Sequence, residues 1–160
     1  MQFWGAAISV RAVQKKRGQI LLVDDDANDV LLVTRAFKAI ESDDQIQHAQ
    51  DGEEAVAYLE GTGPFADREK FPMPSLVLLD LKLPRMTGFE VLSWVRSQVP
   101  LKRLPIVIVT SSNVRNDVNY AYELGANSYV TKPNNLGALT EIIRTLRGYW
   151  CALVEQPDIN

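Results

Sequence analysis

The sequence is poor in the residues that build disulfides and transition-metal sites. Among its 160 residues it has one cysteine, Cys151, and one histidine, His48. A single cysteine excludes an internal disulfide framework and a cysteine-based zinc site, and a single histidine argues against a histidine-based site. The sequence also lacks a glycine-rich phosphate loop ending in Lys-Ser/Thr and a Ser-His-Asp set. We expect a structural role for His48 and a surface or interface position for Cys151.

Long apolar runs and an excess of positive charge are missing as well. No apolar run approaches the roughly 20 residues that span a bilayer, so the sequence excludes an integral membrane protein. The formal net charge of −3 argues against a nucleic-acid-binding footprint.

Residues 1–18 differ from the rest of the chain, because they carry basic but no acidic side chains (Arg11, Lys15, Lys16 and Arg17). The apolar stretch Phe3–Val10 precedes this basic cluster, which is the reverse of a secretory signal. We therefore expect a cytoplasmic protein with an N-terminal extension over residues 1–18, one domain over 19–150, and a tail over 151–160 that continues the last helix. The extension is a weak surface-binding tail, an extra packed helix or an artefact of the start site.

Five short apolar segments predict β-strands. Four are continuous runs, each followed directly by polar residues: Ile20–Val23, Leu76–Leu79, Ile106–Val109 and Ser128–Thr131. A weaker fifth segment, Gln45–Ala49, lies between the first two. Uninterrupted apolar runs fit strands covered on both faces, as in a parallel sheet.

Helical periodicity separates these strands, and the final pattern, from Leu136 to Leu153, is the longest. Strict alternation of strands and helices predicts an α/β fold, a doubly wound five-stranded parallel sheet with helices on both faces. The one long loop is Gly61–Pro74.

The conspicuous polar residues follow the ends of the predicted strands. Asp24 and Asp25 follow one strand, and Asp80, Thr110 and Lys132 follow three others. In an open parallel sheet the working site lies outside the carboxyl ends of the strands, so these residues should meet there. Three converging carboxylates stay ionised together only beside a cation. Carboxylate oxygens without histidine or cysteine favour Mg²⁺ or Mn²⁺.

This donor set predicts a phosphoryl site, because Mg²⁺ commonly joins phosphate oxygens to one or two carboxylates. Lys132 would supply a cation and Thr110 a hydroxyl donor, and one carboxylate must be the nucleophile. Asp80 is the best candidate, since it stands alone after the most apolar strand. Asp24 and Asp25 would then hold the metal, and Asp26 would cap the first helix.

These residues and their order resemble the receiver domain of two-component response regulators. The match covers roughly Gly18 to Tyr149 and consists of the acidic pair Asp24-Asp25, the phosphoacceptor Asp80, the switch hydroxyl Thr110, the aromatic Tyr129 and Lys132-Pro133. The segment Leu79–Glu90 also resembles the family's loop after the acceptor strand. The resemblance implies a flavodoxin-like receiver fold in which phosphohistidine on a sensor kinase donates to Asp80.

The resemblance has further implications for individual residues. The backbone carbonyl of Lys82 would complete the metal shell, the Tyr129 ring would move inward when Thr110 turns toward the phosphoryl group, and Lys132-Pro133 would be a cis peptide. Such a protein is a switch that catalyses its own phosphoryl transfer and slow autodephosphorylation, and it is not a turnover enzyme.

The loop Gly61–Pro74 and the ending Gly148-Tyr149-Trp150 most resemble the single-domain receivers that partner bacterial phytochromes and related histidine kinases. After the last helix only about ten residues remain, so we expect no DNA-binding output domain. The output would then run through protein contacts.

Two other functions stay open at this point. One is a small Mg²⁺-dependent phosphatase with Asp24 as nucleophile and Asp26 as second acid, although such hydrolases usually have a cap and a longer chain, and Asp80 would have no role. The other is a receiver-like binding module without phosphorylation, against which the intact Asp25, Asp80 and Lys132 argue.

The final helix predicts a homodimer because it carries two apolar stripes: Leu136, Leu139, Ile143, Leu146, Trp150 and Leu153 on one, and Ala138, Ile142, Tyr149 and Ala152 on the other. A sheet covers one stripe, and the second needs another partner. The interface candidates are Ile142, Tyr149, Trp150 and Leu153. The alternative is that Phe3–Val10 covers this surface within one chain.

Overall fold

A five-stranded parallel sheet forms the centre of the molecule. The computed structural model describes residues 17–159. The strands are β1 (Gln19–Val23), β2 (Gln45–Ala49), β3 (Leu76–Leu79), β4 (Ile106–Thr110) and β5 (Ser128–Thr131), arranged in the order β2-β1-β3-β4-β5. Every neighbouring pair is parallel. All five predicted strands are confirmed, and the change of direction in strand order falls at β1 and β3.

Helices cover both faces of the sheet. They are α1 (Ala27–Ala39), α2 (Gly52–Glu60), α3 (Gly88–Ser97), α4 (Arg115–Glu123) and α5 (Leu136–Arg147). Alternate side chains of each strand point to opposite faces. Leu21 and Val23 therefore pack in one core cluster with residues of α2, α3 and α4, whereas Ile20 and Leu22 pack in a second cluster with α1 and α5. The predicted fold class is confirmed.

Four of the five helices, all except α4, begin where a polar side chain accepts from a free backbone amide. Asp26 caps α1, as expected, because its carboxylate accepts hydrogen bonds from the amides of Asn28 and Asp29. Thr87 and Glu90 form a reciprocal capping box at the start of α3. Such caps each stabilise a helix by about 1 kcal/mol. The loops at this edge of the sheet are short after β1, β2, β4 and β5, whereas residues 80–87 form a longer loop between β3 and α3.

The C-terminal region departs from the predicted long helix. α5 ends at Arg147, a single π-helical turn covers Gly148–Leu153, and the chain then leaves the helix. The tail continues the helix only as far as Leu153 and then places Ile159 against the cluster on the opposite face of the sheet. Cys151 is buried under this turn, so its predicted surface position is wrong. The thiol lies close to Gly18, directly before the start of β1.

The C-terminal end of α5 is tied to the loop before β2 by a buried ion pair. Asp44, whose side chain is fully buried, accepts from Arg147 Nε at 2.8 Å and from the amide of Gly18 at 2.7 Å. Gly18 is the last residue of the predicted N-terminal extension, and Phe3–Val10 lies outside the described residues. Within residues 17–159 no helix is both long and apolar enough to cross a membrane.

Candidate functional site

Four strand ends bring the predicted site residues together. β1 and β3 are neighbours in register, with Val23 opposite Leu79, so the residues that follow them, Asp24 and Asp80, lie side by side. Thr110 ends β4, and Lys132 follows β5. Asp24, Asp80 and Thr110 are all buried. The structure thus places every predicted strand-end residue at one edge of the sheet.

The acidic residues form one cluster. Asp24, Asp25 and Asp80 each offer a carboxylate oxygen, and these oxygens lie within 4.8 Å of one another. Asp24 and Asp80 are buried, whereas Asp25 is exposed and leaves one side of the cluster open. Three carboxylate oxygens, with no imidazole or thiolate in the group, suit a hard divalent cation that keeps some of its water. The residues present therefore fit a divalent metal.

Lys132 is the centre of the charge network at this site. Its ammonium donates to Asp24 Oδ2 and Asp80 Oδ2 at 2.7 Å each, and to Asp29 Oδ2 at 2.8 Å. Burial alone would lower the pKa of Lys132, but the three hydrogen bonds and the negative charge of Asp80 outweigh it and raise the pKa well above its usual value. Lys132 is the internal counterion of the acidic cluster.

For Asp24 the effect of burial on the pKa is larger than that of its hydrogen bonds. Burial raises its pKa, and the hydrogen bonds from Lys132 and from the amide of Asp26 offset only part of that effect. The carboxylate is 2% exposed and shares its cation with two other acids, so it gains less from Lys132 than it loses in hydration. A cation that binds Asp24 would relieve this cost.

A glycine makes close packing possible next to the phosphoacceptor candidate. A Cβ on Gly88 would lie 2.1 Å from the backbone oxygen of Asp80. The Gly88 amide donates to the carbonyl of Leu81 at 3.0 Å, which folds the loop back onto the end of β3. The segment Leu79–Glu90 thus holds the start of α3 against Asp80.

Lys82 and Lys132-Pro133 were expected to have special backbone roles. The Lys82 side chain is exposed, and its amide donates to Asp80 Oδ1 at 3.3 Å. No cis peptide bond occurs among the described residues, so Lys132-Pro133 is trans and the expected cis peptide is wrong. Trans is the default geometry even before proline. The Lys132 amide continues the strand pairing by donating to the carbonyl of Thr110 at 2.7 Å.

Thr110 and Tyr129 lie beside the acidic cluster but do not bond to each other. Thr110 Oγ1 is buried and has no hydrogen-bond partner within the described residues. The half-buried Tyr129 donates its hydroxyl proton to the carbonyl of Ser112 at 2.8 Å, two residues beyond Thr110. The Tyr129 amide, on an edge strand, donates to the hydroxyl of Tyr122 on α4 at 3.1 Å. Ser112 in turn donates to Asp117 Oδ2 at 2.6 Å, so one chain of hydrogen bonds joins the loop after Thr110 to α4 and β5.

Two residues of the site were missed in the sequence. Asp29 reaches Lys132 from the first turn of α1, and His48 Nε2 lies 2.7 Å from the carbonyl oxygen of Asp24. The signal for Asp29 was present, because a helix that starts directly after β1 must place its first turn over the strand ends. His48 had no comparable signal, since only the pairing of β2 with β1 brings it next to Asp24.

The interface candidates on the last helical segment have different surroundings. Tyr149 is 48% exposed and Leu153 is 68% exposed. Ile142 is half-buried and lines a shallow apolar hollow of about 290 Å³ together with Val130. Trp150 is half-buried, because part of its side chain packs against the chain's own core.

Comparison with known proteins identifies the family. The response regulator receiver domain profile matches residues 20–144. The chain therefore belongs to the response regulator receiver family of two-component systems, in which phosphorylation and Mg²⁺ binding are typical.

Several of the similar proteins are matched over nearly their whole length. Response regulator Rcp1 of Synechocystis sp. is 38% identical over 138 residues, which are 86% of this chain and 92% of that protein. The structure of the phosphorylated cyanobacterial phytochrome response regulator RcpA has 34% identity and a TM-score of 0.82, and the match covers 89% of this chain and 99% of that one. The Mn²⁺-bound form of Rcp1 has 37% identity and a TM-score of 0.78 over 88% of this chain and 99% of that one.

Proposed function

We propose that this receiver accepts a phosphoryl group on Asp80 from a sensor histidine kinase and thereby changes its protein contacts. The observation that carries the proposal is the position of Asp80, whose buried carboxylate lies between the acids Asp24 and Asp25 and the ammonium of Lys132. A phosphoryl group in transfer needs mainly positioning and charge neutralisation, and this edge of the sheet supplies both.

The step is a displacement at phosphorus. An oxygen of the Asp80 carboxylate forms the new P–O bond while the N–P bond of phosphohistidine breaks, and the imidazole keeps the electron pair and takes up a proton. Lys132 contacts an oxygen of the transferred group, and Thr110, whose buried hydroxyl has no other partner among the described residues, turns to donate to another. We expect slow autodephosphorylation and no turnover of other substrates.

Asp24, Asp25 and Asp80 would hold Mg²⁺ or Mn²⁺, and the backbone carbonyl of Lys82 is proposed as a further ligand. A bound divalent cation supplies charge neutralisation for the carboxylates and the phosphoryl oxygens. The chain's own contribution is to keep these donors converged without the metal, which Lys132 does by bonding to Asp24 and Asp80.

The structural response is proposed to run through Thr110, Tyr129 and Tyr122. Movement of Thr110 toward the phosphoryl group shifts the loop that contains Ser112, and Tyr129 is bonded to that loop. Because Tyr122 accepts from the amide of Tyr129, the shift reaches α4 and the edge strand β5. Receiver switching of this kind is a repacking between two arrangements.

The partner is proposed to be a kinase of the phytochrome type, because the similar proteins include the phytochrome response regulator RcpA. Phosphoryl transfer from such a kinase implies a cytoplasmic location. A homodimer is proposed on the surface that contains Ile142, Tyr149, Trp150 and Leu153, since Tyr149 and Leu153 expose apolar area that no other part of residues 17–159 covers. Nucleic acid and membrane are not proposed partners.

The phosphatase alternative loses support because Asp26, its second acid, is occupied as the cap of α1. The decisive experiment is incubation with acetyl phosphate and Mg²⁺, followed by intact-mass measurement. Wild type and the control Asp158→Asn, an exposed tail residue, should gain one phosphoryl group, and Asp80→Asn should gain none. Normal labelling of Asp80→Asn would overturn the assignment. Turnover of phosphate esters by wild type would favour the phosphatase.

A further inference from the structure

The active-site lysine has a third carboxylate partner that is outside the metal cluster. Lys132 donates to Asp24, Asp80 and Asp29, whereas the oxygens that could hold a metal belong to Asp24, Asp25 and Asp80. An ammonium has three N–H donors, so all of them are in use. Asp29 is thus the only one of the three acceptors that has no competing duty toward a cation.

We propose that Asp29 is a positioning residue for phosphoryl transfer: it holds the ammonium of Lys132 at the phosphoacceptor when Asp24 and Asp80 direct their oxygens to a divalent cation. This inference rests on the proposed function and adds to it a residue that acts through Lys132.

The hydrogen-bond count supports this role. If Asp24 and Asp80 committed the Oδ2 atoms that now bond to Lys132 to a cation, Lys132 would keep Asp29 as its acceptor. Two N–H groups then become free for phosphoryl oxygens, while the third stays fixed. Without Asp29 the ammonium would have no remaining protein acceptor from this set, and a flexible four-carbon side chain would sample other directions. Positioning of a charged group is worth much of the rate in such reactions.

The backbone around Asp29 makes it a fixed support. It lies in the first turn of α1, and its amide donates to the capping carboxylate of Asp26 at 3.1 Å. Negative charge at a helix N-terminus is favoured by the helix dipole, so this position suits a carboxylate. Its side chain is 34% exposed, which allows substitution without opening the core.

Asp29 could act by positioning Lys132 or only by its negative charge, and these two explanations predict opposite changes in the rate of phosphorylation when the side chain is replaced. A carboxylate near an incoming phosphoryl anion repels it, so removal of the negative charge would speed phosphorylation if Asp29 acted only electrostatically. If Asp29 positions Lys132, loss of its oxygen acceptor slows phosphorylation. Asp29→Asn removes the charge but keeps an acceptor oxygen, and Asp29→Ala removes both.

The test measures the rate of phosphorylation by acetyl phosphate at saturating Mg²⁺, with intact mass as the readout. We expect Asp29→Ala to be about tenfold slower than wild type. Asp29→Asn should remain within about threefold of wild type, because its amide oxygen still accepts from the ammonium. Glu123→Gln, an exposed acid on α4, controls for the change in net charge and should match wild type.

Two double-mutant cycles of Asp29 and Lys132, one on the phosphorylation rate and one on stability, test whether Asp29 acts through Lys132. In a Lys132→Ala background Asp29→Ala should cause no further loss of rate, since its partner is already gone. In EDTA, where no metal is bound, urea unfolding of the same four proteins should show coupling between the two residues. Equal losses from Asp29→Ala in both backgrounds would overturn the inference, as would faster phosphorylation of both Asp29 variants.

Failure of this inference can be told apart from failure of the proposed function. If wild type is labelled on Asp80 and Asp29→Ala keeps the wild-type rate, Asp29 has no positioning role and the proposed function stands. If wild type takes up no phosphoryl group with Mg²⁺ present, the proposed function fails and this inference fails with it.

Discussion

Replacing Lys132 should make the stability of this protein depend strongly on Mg²⁺. The ammonium lies 2.7 Å from both Asp24 and Asp80, whose side chains are 2% and 9% exposed. Lys132→Ala leaves two buried carboxylates without their cation. Breaking a buried pair in this way costs about 3–5 kcal/mol. For a chain of this size that corresponds to a fall in melting temperature of roughly 6–20 °C in EDTA.

Mg²⁺ should restore most of this loss, because the carboxylates of the variant no longer share Lys132. A ligand at a hundredfold excess over its Kd stabilises the folded state by about 2.7 kcal/mol, and the gain grows as Kd falls. We therefore expect a larger Mg²⁺-dependent gain for Lys132→Ala than for wild type, whereas Asp25→Ala should lose the gain.

Urea unfolding of each protein in EDTA and in millimolar Mg²⁺ measures these free energies. Lys102→Ala is the matched control, since its exposed side chain precedes β4 at the opposite end of the sheet. The reasoning is refuted if Lys132→Ala is as stable as wild type in EDTA and gains no more from Mg²⁺.

Three further predictions concern the rest of the chain. Burial would raise the pKa of Asp44, but the hydrogen bonds from Arg147 and Ser42 outweigh it and lower the pKa below its ordinary value. The Asp44–Arg147 pair therefore stabilises the fold above about pH 4, and this stabilisation is lost as the pH falls through the lowered pKa. Asp44→Asn should lower the free energy of unfolding by about 3 kcal/mol at pH 7 and reduce the loss of stability at acid pH, measured by urea unfolding. Gly88→Ala should cost more than about 2 kcal/mol by thermal unfolding and lower Mg²⁺ affinity, because its Cβ would lie 2.1 Å from the Asp80 carbonyl oxygen. Burial raises the pKa of Cys151 to about 11, so a thiol reagent at pH 8 should react with it only upon unfolding, and rapid reaction of the native protein would contradict the buried position.

The fold and the central site residues could be predicted from the sequence because the apolar runs that indicate strands also indicate where those strands lie in the sheet. Apolar runs such as Leu76–Leu79 are buried on both faces, and in a parallel sheet the residues after them must meet at one edge. Asp24, Asp80, Thr110 and Lys132 follow directly from that rule.

The tertiary structure alone decided which partners these residues have. Lys132 and Asp29 are separated by 103 positions in the chain, and Lys132 and Asp24 by 108, so no local pattern encodes these contacts. The π-turn after Arg147 was not predicted either, because the apolar spacing of this segment also fits a continuous α-helix. In the structure this turn packs Trp150 partly against the core and buries Cys151. The spacing of apolar residues indicates which elements form and which face each one buries. The contact partners of a side chain depend on packing, hydration and charge balance among elements that are distant in sequence.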